Sequence, residues 1–249
     1  MIVVLSEDIL GVSTLLNRTT ILENETVNGF NIYKVKYANT LPFIILVSGY
    51  GKVNIARALQ YVDTKYCIDK LIVTGNTGSL NATTAPIGSV GISTAGLQYD
   101  VDFTPLGAEP YALLNQEVYT YDADGNLITK ARESAIVVDE TVNTGLFATA
   151  DQFLANTTEA TAIQTGTTAL FVDTSTADAA QVAYFNQIPY VAIKGVSNYA
   201  GDDAVAEYNA NVNEANQNAN NVVYQLLINL IGINEELNVK FNKKIKLFN

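Results

Sequence analysis

Two stretches of this chain end in side chains suited to holding a small ligand: LIVTGNTGSL at 71–80 and PYVAIKGVSNYAGDD at 189–203. In each, a β-branched run stops at small polar residues. That is the pattern of a buried parallel strand opening into a pocket. Gly75 and Gly78 allow close backbone approach. Asn76 and Asn198 offer amides, which donate and accept hydrogen bonds but deliver no proton. A third run, TALFVDTSTADAA, ends at Asp173, Thr174 and Ser175, and the first apolar run, IVVL, is followed by Glu7 and Asp8. Carboxylates there also favour a helix N-terminus. Histidine is absent. Its absence excludes Ser-His-Asp triads and most transition-metal sites.

Alternating elements must position these residues. The patterning predicts strands at 2–5, 30–37, 42–47, 70–75, 87–95, 134–138, 169–173 and 189–194. Helices are predicted at about 8–16, 51–66, 175–186 and 203–231. Such alternation implies an α/β fold with a mainly parallel or mixed sheet. Residues 98–132 lack periodicity and carry Pro105, Gly107, Pro110 and the DADG turn at 122–125. They read as an insertion or lid with one hairpin. In the last helix Val205, Tyr208, Val212, Ala215, Ala219, Val222, Leu226 and Leu230 form an apolar stripe. Asp202 or Asp203 is placed to cap it and Gly232 to end it. Seven asparagines between 209 and 221 fall on the outer face, as drift or as an amide-rich contact surface.

Composition bounds the partners. The net charge of −11 argues against nucleic acid and anionic membrane. No apolar run reaches the length of a membrane span. There is no signal-peptide pattern at the start, so a cytoplasmic setting is the default expectation. Cys67 is the single cysteine. Residues 240–249 hold four lysines and no acid, against ten basic and 25 acidic residues before them, a net of −15. The division is therefore a domain over 1–232 and a basic C-terminal arm over 233–249, either a tail or a strand-like segment that docks through Phe241 and Ile245. Only 16% of residues are charged. A surface rich in Asn, Thr and Tyr repels its own copies weakly and predicts a homo-oligomer or polymer.

TGNTGSL, SGYGK at 48–52, GLFATADQFL at 145–154 and PYVAIKGVSN together resemble the nucleoside phosphorylase/nucleosidase superfamily, and most nearly its 5′-methylthioadenosine/S-adenosylhomocysteine nucleosidases. The resemblance covers most of residues 1–232 and is weakest over 98–144. It implies a three-layer α/β/α sandwich with a central mixed sheet. The activity it implies is cleavage of the bond between purine and ribose, by an acid on the base and a nucleophile on the sugar's far face. It also implies that Phe153 stacks on the purine, that Leu154 reads the base through its backbone, and that Gly75, Asn76 and Gly78 form the ligand-facing turn. No cofactor and no metal are called for.

The chemistry-bearing positions depart from that pattern. Asn198 stands where the family has the Asp that protonates the base; 6-oxopurine phosphorylases of the superfamily recognise the base with Asn. Ser175 stands where a Glu holds the ribose diol, and Thr174 where a Met packs on the sugar. Asp173 matches a Glu that does not bear the ribose. Val12 stands where a Glu activates water. The phosphate-binding Arg of phosphorolytic members is Val73. Losing one general acid costs about 10²–10⁴ in rate. The expectation is therefore a catalytically degenerate protein, not an enzyme, reused for a structural, storage or self-assembly role. The alternatives are an active purine nucleosidase with a shifted site, using Asp173, Glu7 or Asp8, and a binding module for a purine nucleoside.

Overall fold

Alternation within the apolar runs decides the layering. In the computed structural model, Val3 and Leu5 of Ile2–Ser6 (β1) enter one core and Val4 enters the other. Phe43–Val47 (β4) repeats this with Ile44 and Leu46 against Ile45, and Lys70–Ser79 (β5) with Leu71 and Val73 against Ile72. Helices Lys52–Tyr66 (α2) and Thr176–Phe185 (α5) cover the first face through Ile55, Leu59, Val62 and Ala180. Ser13–Asn17 (α1), Gly125–Val137 (α3) and Ala204–Ile231 (α6) cover the second through Leu15, Leu127, Val222 and Leu226. This is the three-layer α/β/α sandwich with a central mixed sheet. The structure describes residues 1–232 apart from 39 and 117. The arm expected at 233–249 lies outside the described residues.

The remaining strands are Thr20–Val27 (β2), Phe30–Lys36 (β3), Val90–Gln98 (β6), Thr120–Asp122 (β7), Val142–Thr149 (β8), Phe171–Asp173 (β9) and Tyr190–Asn198 (β10). On one side of β5 the sheet runs out through β1, β4, β3 and β2. On the other it closes on itself: β5 pairs β10, β10 pairs β6, β6 pairs β8, β8 pairs β9, and β9 returns to β5. Strand β5 serves both parts. Its last partner on β1 is opposite Val73 and its first on β9 is opposite Gly78. Between them Gly75 takes φ +135°, a conformation open to glycine. Gly195 has a different role: a Cβ there would lie 1.9 Å from the Ala215 carbonyl oxygen, so α6 rests directly on β10.

Several sequence-based elements are corrected. Residues 134–138 are the end of α3, not a strand. Ile136 and Val137 point outward, 79% and 66% exposed, while Leu127, Ala131, Ser134 and Ala135 face the core at helical spacing. The strand lies later, at β8. Strand β2 and helix Thr157–Thr167 (α4) had no signal, since β2 is an exposed edge strand and α4 is rich in Thr. The helix expected at 8–16 is a 3₁₀ turn at Leu10–Val12 followed by the short α1. In the 98–132 region only β7 pairs with β6, and Asp124 of the DADG turn caps α3 by accepting from Leu127 N at 2.8 Å.

Helix α6 is not capped by Asp202 or Asp203 side chains; Asp202 accepts from Thr157 N instead. Its asparagines do not form one external face: Asn209 and Asn213 are exposed, while Asn216 and Asn220 are buried. Asn220 is buried, accepting from Leu15 N at 3.2 Å and donating to the Gly11 carbonyl at 2.7 Å. Asn218 donates to the Gly88 carbonyl, and Asn221 joins Arg18 to Glu140. Val205, expected in the apolar stripe, is 55% exposed.

Candidate active site

The C-terminal ends of β1, β5, β9 and β10 meet above the closed part of the sheet. Register brings them together: Lys194 is opposite Gly75 and Asn198 opposite Gly78. A cavity of about 470 Å³ opens there, lined by Glu7, Tyr50, Asn76, Asp151, Phe153, Tyr208 and their neighbours. It shares Asn76, Gln152, Phe153 and Thr174 with a narrow cleft of about 40 Å³ that runs to Gly78, Leu154 and Asn198. The wide part has room for a sugar and its substituents. The narrow part admits the edge of a flat ring.

Glu7 is the carboxylate of the wide part. Thr174 Oγ1 donates to its Oε1 at 2.7 Å, and Lys194 Nζ lies 3.8 Å from its Oε2. Burial pushes the Glu7 carboxyl above its ordinary value; the Lys194 ammonium and the Thr174 hydroxyl pull the other way. Lys194 is fully buried, and its Nζ lies 2.6 Å from Asp173 Oδ2 and donates to Ser175 Oγ at 2.6 Å. Burial alone would lower the Lys194 ammonium, but Asp173 and Glu7 outweigh it and hold the group above its ordinary value. Asp173 also accepts from Thr149 Oγ1 at 2.6 Å and from the Thr176 backbone and hydroxyl. Its oxygens are thus occupied by the protein, although the residue borders the narrow cleft.

At the far end, Ser197 Oγ donates to Asn198 Oδ1 at 2.8 Å. Asn198 Nδ2 has no protein acceptor among the described residues. Phe153, 48% exposed, walls the cleft and meets the Tyr208 ring edge-on, with centroids 5.4 Å apart.

Eight residues picked from the sequence line this space: Glu7, Asn76, Gly78, Phe153, Leu154, Asp173, Thr174 and Asn198. Gly75 does not; it packs beside Gly11 and Ser6. Ser175 does not either, being 1% exposed and turned to Lys194. Val12 is wholly buried among Val4, Leu15 and Val35. Asp8 does not line the cavity itself; it accepts from Gly11 N at 2.8 Å and from the hydroxyl of the cavity-lining Tyr50 at 2.5 Å. Glu7 and Asp8 thus separate: Asp8 braces a turn and Glu7 enters the cavity. Tyr50, Asp151, Gln152 and Tyr208 were missed. Asp151 and Gln152 directly precede Phe153, which was the available signal, and Tyr208 was hidden inside a helical stripe.

The whole architecture matches a known family: the model of the phosphorylase superfamily fits residues 2–231. This chain belongs to the phosphorylase superfamily. Among curated members of it, a 5′-methylthioadenosine/S-adenosylhomocysteine nucleosidase of Staphylococcus carnosus is 28% identical over 87% of this chain and 94% of its own length. A protein of the same name from Bacillus thuringiensis subsp. konkukian is 30% identical over 82% of this chain and 88% of its own. Two solved superfamily folds superpose closely. The Neisseria meningitidis nucleosidase in complex with methylthio-immucillin-A has a TM-score of 0.85 at 24% identity, covering 91% of this chain and 97% of that one. Futalosine hydrolase of Helicobacter pylori has a TM-score of 0.86 at 19% identity, covering 91% and 96%.

These superfamily relatives correct the functional expectation. The proteins similar to this chain over most of its length are named as enzymes, which overturns the reading of a degenerate protein kept for structure, storage or self-assembly. The physical flaw in that reading was to count lost positions without asking what replaced them. Val12 lies in the core, but Glu7, five residues earlier on the connection that follows β1, brings a carboxylate into the cavity.

Proposed function

We propose that this chain hydrolyses the N-glycosidic bond of a purine nucleoside, with Glu7 as the base that activates water. The carrying observation is the Glu7 carboxylate, held by Thr174 inside a cavity that narrows toward Phe153 and Asn198. A carboxylate raised above its ordinary value is better matched to proton abstraction near neutrality. In the proposed step the C1′–N9 bond breaks and its electron pair leaves with the base. Water forms the new bond to C1′, and its proton passes to Glu7. Asn198 Nδ2 donates a hydrogen bond to the departing base, whose charge is met by a fixed dipole in a confined cleft. The base takes its proton from solvent. Phe153 supplies an aromatic wall for the ring.

Hydrolysis is favoured over phosphorolysis because, among the described residues, the wide cavity is lined by two carboxylates, Glu7 and Asp151, and by no lysine or arginine. Such a lining repels a phosphate anion. The names of the relatives support a purine nucleoside with a 5′ substituent as substrate. The test incubates the purified protein with methylthioadenosine, adenosine and inosine and measures free base. Release from at least one, at about 1 s⁻¹ or faster and slowed by about 10²–10⁴ in Glu7→Gln, is the expected result. Binding without release from any of the three would leave a nucleoside-binding module and end the hydrolase reading.

A further inference from the structure

Strand β2 ends the open side of the sheet, and among the described residues its outer edge pairs with nothing. An edge of eight residues leaves a row of backbone N–H and C=O groups to be matched. Folded proteins usually blunt such an edge; this one carries Ile21 and Leu22, 49% and 42% exposed, side by side. The two faces of β2 differ. Ile21 is opposite Val35, on the side of the sheet covered by α6, where Leu16, Tyr33, Leu230 and Ile231 are only partly buried. An irregularity after Ile21 turns Glu23 and Glu25 to the side covered by α2, opposite Lys34 and Ile32 and along a groove of about 490 Å³. Glu23 holds Lys34 and Glu25 holds Lys65, each through Oε1, and among the described residues each Oε2 is without a cation.

We propose that residues 238–249 of the same chain fill this edge as an added strand, parallel to β2. They lie outside the described residues, and their sequence and point of departure carry the assignment. NVKFNKKIKLFN alternates with a period of two. Val239, Phe241, Ile245 and Leu247 fall on one face and Lys240, Lys244 and Lys246 on the other, with Lys243 and Phe248 as the exceptions. Those are the faces β2 calls for: apolar beside Ile21, basic beside Glu23 and Glu25. The chain also leaves the body at the right place. Arg18, two residues before β2, donates to Asn221 at 2.9 Å and lies 5.0 Å from the centre of the Tyr224 ring on α6. From Tyr224 the helix runs on about 10 Å to its end at Ile231, and residues 232–238 span up to about 23 Å. The segment therefore reaches the Thr20 end of β2, and its length exceeds that of the strand. Running on from there toward Val27 makes it parallel.

Strand addition of this kind draws affinity from main-chain hydrogen bonds and register from the side chains. The apolar face supplies most of the hold, because exposed ion pairs contribute little and salt screens them. The lysines select this segment over a second β2 edge, whose glutamates would face Glu23 and Glu25 across the pair and repel them. Once in place, the segment covers Ile21 and Leu22. Without it, the edge is left open to pairing with other chains. The proposal is independent of the hydrolase reading.

The experiment is hydrogen–deuterium exchange by mass spectrometry on the full chain and on a chain ending at Leu237. Peptides spanning 20–27 are expected to exchange about tenfold faster or more in the shortened chain. Peptides from β1 and α6 should keep their rates, showing that the body stays folded. Phe241→Glu with Ile245→Glu in the full chain should match the shortened chain, and a synthetic peptide of residues 236–249 added to the shortened chain should restore the protection. Exchange at 20–27 that is the same in the full chain and both altered forms overturns the proposal. So does protection of β2 that is lost on dilution from about 100 μM to about 1 μM, since the strand would then come from another copy.

Discussion

Glu7 is caught between opposing influences: burial disfavours its charge, while Thr174 and Lys194 support it. Two outcomes follow for Glu7→Gln. Activity should fall by about 10²–10⁴ in kcat/KM, the usual loss for a missing general base. Stability should move the other way. A carboxyl raised in the folded state binds its proton more tightly folded than unfolded. Wild-type stability therefore declines as pH climbs above about 4.3, the ordinary glutamate value. Urea titrations should show the variant equal to wild type near that pH and more stable at pH 8. The acid limb of the wild-type rate profile should lie above the ordinary carboxylate range, and Thr174→Val should push it higher still. Lys194→Met is a different case. It leaves Asp173 buried without its ammonium, and a broken buried pair costs about 3–5 kcal/mol, read as a lower urea midpoint.

At the scale of elements, α6 shows why composition misleads. Its asparagines are poor helix formers, yet Asn220 ties the helix to the turn before α1 through Leu15 N and the Gly11 carbonyl. Asn220→Leu keeps the size and strands both backbone groups, so it should cost about 1–3 kcal/mol by chemical denaturation. Helix α3 makes the opposite point. Its most β-like residues, Ile136 and Val137, face solvent. Replacing each with Lys should change stability by less than about 0.5 kcal/mol, whereas a strand buried at 134–138 would not tolerate it. The urea midpoint of the double lysine variant decides between the two.

For the whole molecule, the closed part of the sheet matters most. Because β9 returns to β5, the ends of β5, β9 and β10 are fixed against one another, and side chains as far apart in sequence as Glu7 and Thr174 meet at 2.7 Å. Such a site is preformed, and a ligand that fits it binds the folded state alone. A nucleoside at about a hundred times its Kd should then add about 2.7 kcal/mol to the stability. A thermal-shift series with methylthioadenosine and inosine checks this, and Phe153→Ala should reduce the shift by removing the aromatic wall.

The sequence by itself determined the α/β alternation and most of the strand starts, and the layers followed from the family resemblance. The apolar runs of β1, β4 and β5 and the polar stops at Asn76, Thr174 and Asn198 are local signals, so both survive without coordinates. The family resemblance was legible for the same reason, because TGNTGSL and PYVAIKGVSN are contiguous. Tertiary structure decided the rest. Whether Glu7 or Asp8 enters the cavity turns on the path of one short turn, and the two residues are alike in chemistry. That Ser175 serves Lys194 rather than a ligand, and that Val12 belongs to the core, depends on contacts across β9, β10 and α1. Glu7 was legible as a candidate replacement, because it follows the same strand end as Val12, but which of Glu7, Asp8 and Asp173 lines the wide cavity was decided by the tertiary fold, which ties Asp8 to Gly11 and Tyr50 and Asp173 to Lys194.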